Sequence, residues 1–124
     1  VVSFNGFVLL VGQVPSEELK TLATDVVRKI EDVRRIYNEL EVGEATGVGA
    51  RTNDTWITTQ VKSKLLASSD TPGRRVKVVT ENSVVYLMGL LTEAEAERVA
   101  LEAAEVGGAE RVVQLFELIP APPI

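Results

Sequence analysis

The chain has 124 residues, of which 45% are hydrophobic and 25% charged, a composition typical of a globular protein with one ordinary domain or two very small ones. It contains no histidine and no cysteine, which excludes histidine-based triads, cysteine nucleophiles, disulfides and the usual zinc sites. The formal net charge of −5 argues against a general nucleic-acid binder, and we predict a non-enzymatic protein with no catalytic residue, no metal and no cofactor.

The start of the chain carries neither an initiator methionine nor a cleavable leader, so we expect a mature chain or an excised piece of a longer protein. The sequence contains no run of eighteen apolar residues, so no membrane-spanning helix is predicted. The charge is uneven, because residues 51–75 hold five basic residues against two acidic ones in an otherwise acidic chain. We expect an anion or an acidic surface to approach this segment.

The first predicted elements are two strands at residues 1–4 and 7–14, joined by Asn5-Gly6, a pair that favours a type I′ hairpin turn. Ser16 is a good N-cap for a helix that runs to about Asp32, and a third strand is predicted at 34–42. Because a helix between parallel strands crosses over the sheet, the predicted unit is ββαβ. An apolar stripe at helical spacing on this helix consists of Leu19, Leu22, Ala23, Val26 and Ile30.

The second half of the chain repeats this unit and adds a helix in front of it. Asn53 or Asp54 is predicted to cap the added helix, which spans 55–68. The further elements are, in chain order, strands at 76–80 and 84–90 around a turn of Glu81-Asn82-Ser83, a helix from Thr92 to about Val106 stopped by Gly107-Gly108, and a strand at 111–119. The matching stripe on the later helix is smaller and consists of Ala96, Val99, Ala100, Ala103 and Val106.

The two halves are also similar residue by residue. Residues 8–14 are echoed by 85–91, and residues 35–42 by 111–118, a spacing that indicates two copies of one supersecondary unit. The predicted fold class is α+β, with a three-stranded mixed sheet and helices in each unit, the second being αββαβ and the first lacking its N-terminal helix. The predicted boundaries are a first domain at 1–43, a linker at 44–52, a second domain at 53–119 and a proline-rich tail at 120–124.

Three features together resemble a known family. Gly12 and Gly89 lie in matching strand ends, residues 35–40 have the sequence Arg-Ile-Tyr-Asn-Glu-Leu, and residues 53–59 the sequence Asn-Asp-Thr-Trp-Ile-Thr-Thr. These segments resemble the BON domain, and the two copies resemble outer-membrane lipoproteins built from two such domains. The resemblance implies a protein of the periplasmic face of the bacterial outer membrane, which binds anionic phospholipid through its second domain and supports outer-membrane integrity. We expect both glycines to be structural, since they permit close approach of a helix to a strand.

The added helix carries the candidate lipid-binding residues. Ile57, Val61 and Leu65 share the face expected to pack on the sheet, whereas Trp56, the only tryptophan, lies on the opposite face. Tryptophan favours membrane interfaces, and a lysine near an anionic surface adds about 1 kcal/mol. The residues predicted to face a phosphatidylglycerol-like surface are Trp56, Thr59, Gln60, Lys62, Ser63, Lys64, Leu66 and Ala67.

Other interpretations of these residues stay open. An aromatic residue near a helix N-terminus is commonly an edge-of-core residue, and exposed lysines are commonly a solvated face. The same helix could dock on a protein, such as an outer-membrane assembly machine, in a scaffold module. The final strand is apolar on both faces through Val113, Leu115 and Ile119, so its outer face is expected to pack on the first copy or on another chain. Self-association is also open, whereas too few positive charges are present to follow a nucleic-acid backbone.

Overall fold

The computed structural model describes residues 1–44, 47–68 and 72–120, and the chain divides after Gly47 into two units. Both units are α+β, each with a three-stranded mixed sheet, which confirms the predicted fold class. The first unit begins with a strand and the second with a helix, as the repeat predicts.

Unit 1 contains strand β1 (Val2–Phe4), strand β2 (Phe7–Val14), helix α1 (Glu17–Arg28) and strand β3 (Arg35–Val42). β2 lies in the centre of the sheet, antiparallel to β1 and parallel to β3. Asn5 and Gly6 both have positive φ, +48° and +81°, as the predicted type I′ turn requires.

Unit 2 contains helix α2 (Val48–Ala67), a 3₁₀ turn at Gly73–Arg75, strand β4 (Val76–Glu81), strand β5 (Val84–Leu91), helix α3 (Glu93–Ala104) and strand β6 (Arg111–Leu118). Its central strand is β5, antiparallel to β4 and parallel to β6. The connection between β4 and β5 is one residue shorter than predicted, because Glu81 pairs directly with Val84 and only Asn82 and Ser83, both at positive φ, form the turn.

The predicted start of α2 is wrong. The helix begins at Val48, so Asn53 and Asp54 lie inside it rather than at its N-cap. The buried Asp54 carboxylate instead accepts the backbone N–H groups of Asn82 and Ser83, at 2.7 and 2.8 Å. Its role is therefore to hold the tip of the β4–β5 hairpin against the helix. No local sequence pattern predicts this contact.

The other two helices begin at the predicted caps. The Ser16 hydroxyl accepts the Leu19 N–H at 3.2 Å. Thr92 accepts the Glu95 N–H while the Glu95 carboxylate accepts the Thr92 N–H, which forms a reciprocal capping box. Both helices end a few residues before the predicted positions, and Gly108, at φ +92°, lies in the turn after α3.

The hydrophobic core of unit 2 lies between its sheet and its two helices. Val85 and Leu87 of the central strand and Val99 of α3 are fully buried in it. Unit 1 has a smaller cluster of the buried residues Val8, Leu10, Val27 and Leu40 with partly buried neighbours around them, and Phe7 and Leu9 of β2 are buried as well. What covers the outer face of β6 stays a prediction.

The apolar stripes of α1 and α3 have different surroundings. Of the five stripe residues predicted for α3, four are buried, including Val106 just beyond the end of the helix, and Ala100 is half-buried. On α1 only Ala23 packs on the core, whereas Leu19, Leu22, Val26 and Ile30 are 42–57% exposed. Val27, outside the predicted stripe, is the buried residue of this helix. In unit 2 helix α2 packs beside α3, and the described part of unit 1 contains no helix in that position.

The two glycines at the matching strand ends, Gly12 and Gly89, differ in conformation and surroundings. Gly12 has φ +123°, a conformation that side-chain-bearing residues rarely adopt, and a Cβ there would meet no atom within 4 Å. The expected close approach of a helix is therefore absent at Gly12. At Gly89 a Cβ would lie 2.6 Å from the backbone oxygen of Arg75, so the close neighbour is the 3₁₀ turn before β4 and not, as expected, a packed α-helix.

Candidate functional site

The orientation of α2 is set by its inner face. Ile57, Val61 and Leu65 are at most 1% exposed and belong to the core of unit 2. The Thr58 hydroxyl donates to the Thr80 hydroxyl, at 2.7 Å, and so adds a polar contact to β4 at the edge of this face. The residues on the opposite side of α2 are therefore held outward by a rigid helix.

Most of the predicted lipid-binding residues lie on the outer face of α2, the side opposite its buried residues. Trp56 and Leu66 are its large apolar side chains, 51% and 59% exposed. The smaller or polar residues around them that are also exposed are Thr59, Gln60, Lys62, Ser63 and Ala67. All of the residues predicted from helical spacing are thus exposed except Lys64, which is half-buried.

Trp56 lies along one border of this face. Together with Gln60, Ser63 and Lys64 it lines a shallow groove of about 440 Å³, whose other wall is the segment 105–107 after α3. A Cβ placed on Gly108 would lie 3.9 Å from Cζ3 of the Trp56 ring, so one edge of the indole approaches this segment. About half of the Trp56 side chain is therefore exposed, and the remainder lies against its neighbours.

Lys64 is not a free cation. Its Nζ lies 2.6 Å from Oε2 of Glu105, and the two side chains are 38% and 64% exposed. An exposed pair of this kind is worth about 0–1 kcal/mol, but it places a carboxylate beside the lysine at the proposed surface. The contact joins residues 41 positions apart, so helical spacing alone gave no sign of it.

Lys62 lies on the opposite border of the outer face. It lines a second groove, of about 430 Å³, in which Arg51 supplies another cation. Thr55, Thr58 and Thr59 add hydroxyl groups, and the groove also contains the carboxylates of Asp54 and Glu81. The Asp54 carboxylate already accepts the two backbone N–H groups at the hairpin tip.

Arg51 was missed in the sequence because α2 was predicted to begin after it. Residues 51, 55, 59 and 62 fall at spacings of four, four and three, which places them on one side of a helix once Val48 is its start. That spacing is the signal that could have identified Arg51. The cations on this border are therefore Arg51 and Lys62, rather than the predicted pair of lysines.

Among the described residues, no group of three or more acidic side chains is placed so that it could hold a metal ion. A clear pKa shift is found at Glu95, whose pKa is lowered mainly by the Thr92 backbone N–H and further by the Thr92 hydroxyl and Arg75, against the opposing effect of burial. This carboxylate caps α3 and is not part of the α2 surface. None of the described helices is long and apolar enough to cross a membrane.

Three curated proteins are similar to this chain in sequence over most of its length. The chain is 43% identical over 119 residues to the 21 kDa hemolysin of Actinobacillus pleuropneumoniae, covering 96% of this chain and 61% of that protein. It is 38% identical over 118 residues to the outer membrane lipoprotein DolP of Haemophilus influenzae, with 95% and 61% covered. The osmotically-inducible protein Y of Escherichia coli is 35% identical over 115 residues, with 90% and 54% covered.

The chain thus spans about three fifths of the length of the first two curated relatives. The family model described as the BON domain matches residues 1–44 and again 53–120, so the match occurs twice, as the internal repeat does. Together these segments cover most of the chain, including α2 from Asn53 onward and all three strands of both sheets. The chain therefore belongs to the BON domain family.

Proposed function

We propose that this chain is a non-enzymatic module of the bacterial cell envelope that binds anionic phospholipid surfaces through the outer face of α2. The observation that carries the proposal is the position of Trp56, half exposed on a helix whose inner face is fixed in the core, with Leu66 on the same surface. Indole rings favour the interface between headgroups and acyl chains because they are apolar but keep one hydrogen-bond donor.

The charges around this face support a reversible attachment. Arg51 and Lys62 form the cationic border, and each basic residue near an anionic surface contributes about 1 kcal/mol at moderate salt. Two large apolar side chains do not make a broad hydrophobic face, so the helix would lie at the headgroup level rather than insert deeply. Lys64 contributes less, because Glu105 pairs with it.

The relatives favour an envelope location. One of them is named an outer membrane lipoprotein, and this chain covers 61% of its length. The periplasmic face of the outer membrane is therefore the proposed location, and support of outer-membrane integrity the proposed biological role.

A protein-docking role is the alternative. The groove beside Trp56 is open, and the apolar area of the outer face is about the size of one side chain. A side chain of a partner protein, such as an outer-membrane assembly protein, could cover it. In that case the same residues would contact protein, and vesicles alone would not bind.

The test uses Trp56 as an intrinsic probe, since it is the only tryptophan. The protein is titrated with phosphatidylglycerol vesicles and with phosphatidylcholine vesicles, at low and at high salt. The proposal predicts a blue shift of the Trp56 emission with the anionic vesicles only, which salt weakens by screening. An unchanged spectrum together with no co-sedimentation of folded protein would contradict it and favour the protein-docking alternative.

Charge variants locate the surface. Arg51→Gln and Lys62→Gln should each weaken vesicle binding about fivefold, which corresponds to the loss of about 1 kcal/mol. Lys29→Gln, on an exposed residue that follows α1 in unit 1, is the matched control and should leave binding unchanged. Equal effects of all three substitutions would show that net charge, rather than α2, determines binding.

A further inference from the structure

The outer edge of β6 carries unpaired backbone groups. Within the described structure β6 pairs with β5 alone, and the next residue, Ile119, donates its N–H to the Leu91 carbonyl at 2.9 Å. Main-chain groups of a parallel strand alternate between its two edges, so the N–H and C=O groups of Val112, Gln114 and Phe116 point away from β5. An edge of this kind can pair with another extended chain.

A groove of about 630 Å³ lies beside this edge, between α3 and β6. Ala100, Ala104 and Val112 line it with small or branched apolar groups. Leu101 stands at its rim and is 66% exposed. The groove therefore offers an apolar space on the same side of the sheet as the side chains of the outward-bonding residues of β6.

The repeat shows that the fold does not require this apolar groove. The two units align with an offset of 76 residues from Glu17 and Glu93 onward, and the corresponding groove of unit 1 measures only about 250 Å³. At the positions of Ala100, Leu101 and Ala104, unit 1 has threonine, aspartate and arginine.

In unit 1 a side chain also bridges the strand and the helix. Asn38 of β3 donates to the Lys20 carbonyl at 2.7 Å and to the Thr24 hydroxyl at 2.6 Å, which links the strand to α1. The corresponding residue of unit 2 is Gln114, which is exposed and lines the open groove. Only the second copy thus combines a free strand edge with an open apolar groove.

The charges of the groove indicate which chain would fit. Glu97 and Glu110 line it, and within the described residues neither carboxylate forms an ion pair. Arg111 is the single cation of the lining. The excess of negative charge favours a neutral or basic occupant over an acidic one.

We propose that the β6 edge and the α3–β6 groove bind an extended peptide segment of another protein. The peptide would add a fourth strand to the sheet through the outward main-chain groups of Val112, Gln114 and Phe116, place an apolar side chain against Ala100 and Ala104, and carry neutral or basic flanking residues. This surface is separate from the outer face of α2, and peptide binding there does not depend on the lipid-binding proposal.

The test uses an isotope-labelled full chain and a short blocked peptide in which valine alternates with threonine between terminal lysines. Titration should shift the amide signals of β6 and α3 and slow hydrogen exchange of the outward β6 amides. A peptide N-methylated at alternate amides should bind at least about tenfold more weakly, since it cannot form the ladder.

The double variant Leu101→Asp with Ala104→Arg gives the groove two of these three residues of unit 1. Both positions are exposed, so the fold should persist, and this is checked by circular dichroism and Trp56 emission. Peptide binding should fall at least about tenfold, whereas Leu66→Asp on α2 should leave it unchanged.

Three results would overturn the proposal. The first is a lack of β6 shifts at millimolar peptide. The second is binding that is indifferent to both the N-methylated backbone and the double variant. The third is a dimer, in the absence of peptide, whose outward β6 amides are already protected from exchange, since a second copy would then be the occupant.

Discussion

Asp54 provides a quantitative test of how α2 is fixed. The side chain is 6% exposed and accepts two backbone N–H groups from the tip of the β4–β5 hairpin, at 2.7 and 2.8 Å. Hydrogen bonds to a charged group contribute about 1.5–3 kcal/mol each. Asn82 is exposed and Ser83 half-buried, so water recovers part of the loss, and we expect Asp54→Ala to lower the free energy of unfolding by about 2–3 kcal/mol.

Urea unfolding followed by Trp56 emission measures this effect, since Trp56 lies on the same helix. For a unit of this size a dependence of about 1 kcal/mol per molar urea converts the loss into a midpoint lower by about 2–3 M. Asp54→Asn keeps one acceptor oxygen and should fall between the alanine variant and the wild type. Asn53→Ala is the matched control, because its exposed amide makes one neutral bond to the Ser83 hydroxyl at 3.2 Å. A midpoint for Asp54→Ala equal to that of Asn53→Ala would refute the reasoning.

Three further substitutions test other contacts. Gly89→Val should destabilise unit 2 by more than about 2 kcal/mol in the same urea assay, because its Cβ would start 2.6 Å from a backbone oxygen; a wild-type midpoint would argue against that contact. The lowered pKa of Glu95 means that its ionised form stabilises the fold at neutral pH, and that this contribution is lost as the pH falls through the lowered pKa. Glu95→Gln should therefore reduce the difference in Tm between neutral and acidic solution. An unaltered difference in Tm would contradict this role of Glu95. Glu105→Gln should free Lys64 and strengthen binding to phosphatidylglycerol vesicles up to about fivefold, and weaker binding would show that the ion pair itself builds the surface.

The features predicted correctly from the sequence are those with a local physical cause. The Asn5-Gly6 turn follows from tolerance of positive φ, and the caps at Ser16 and Thr92 follow from a hydroxyl placed before a helical pattern. The inner face of α2 follows from helical spacing, since Ile57 and its partners recur once per turn. The repeat then supplies the parallel pairing in both sheets.

The features that were missed depend on contacts between distant residues. The stretch around Gly47 and Gly49 has the composition of a linker, yet Val48 already begins α2. Asp54 is a typical N-cap in sequence, but its partners lie 28 and 29 positions away in a turn. The pairing of Lys64 with Glu105 and the exposure of Leu22 on α1 likewise follow only from the three-dimensional arrangement.

The difference in size between the two hydrophobic clusters affects the order in which the two units unfold. Among the described residues, one hydrophobic cluster of unit 2 contains twelve buried residues and one of unit 1 contains four, so local unfolding of unit 1 should cost less free energy. Amides of β2 and β3 should exchange with deuterium earlier than those of β5, and limited proteolysis should cut first in the N-terminal half. If unit 1 unfolds first, the surface around Trp56 in unit 2 remains folded. Heat or denaturant should therefore unfold unit 1 before vesicle binding at α2 is lost.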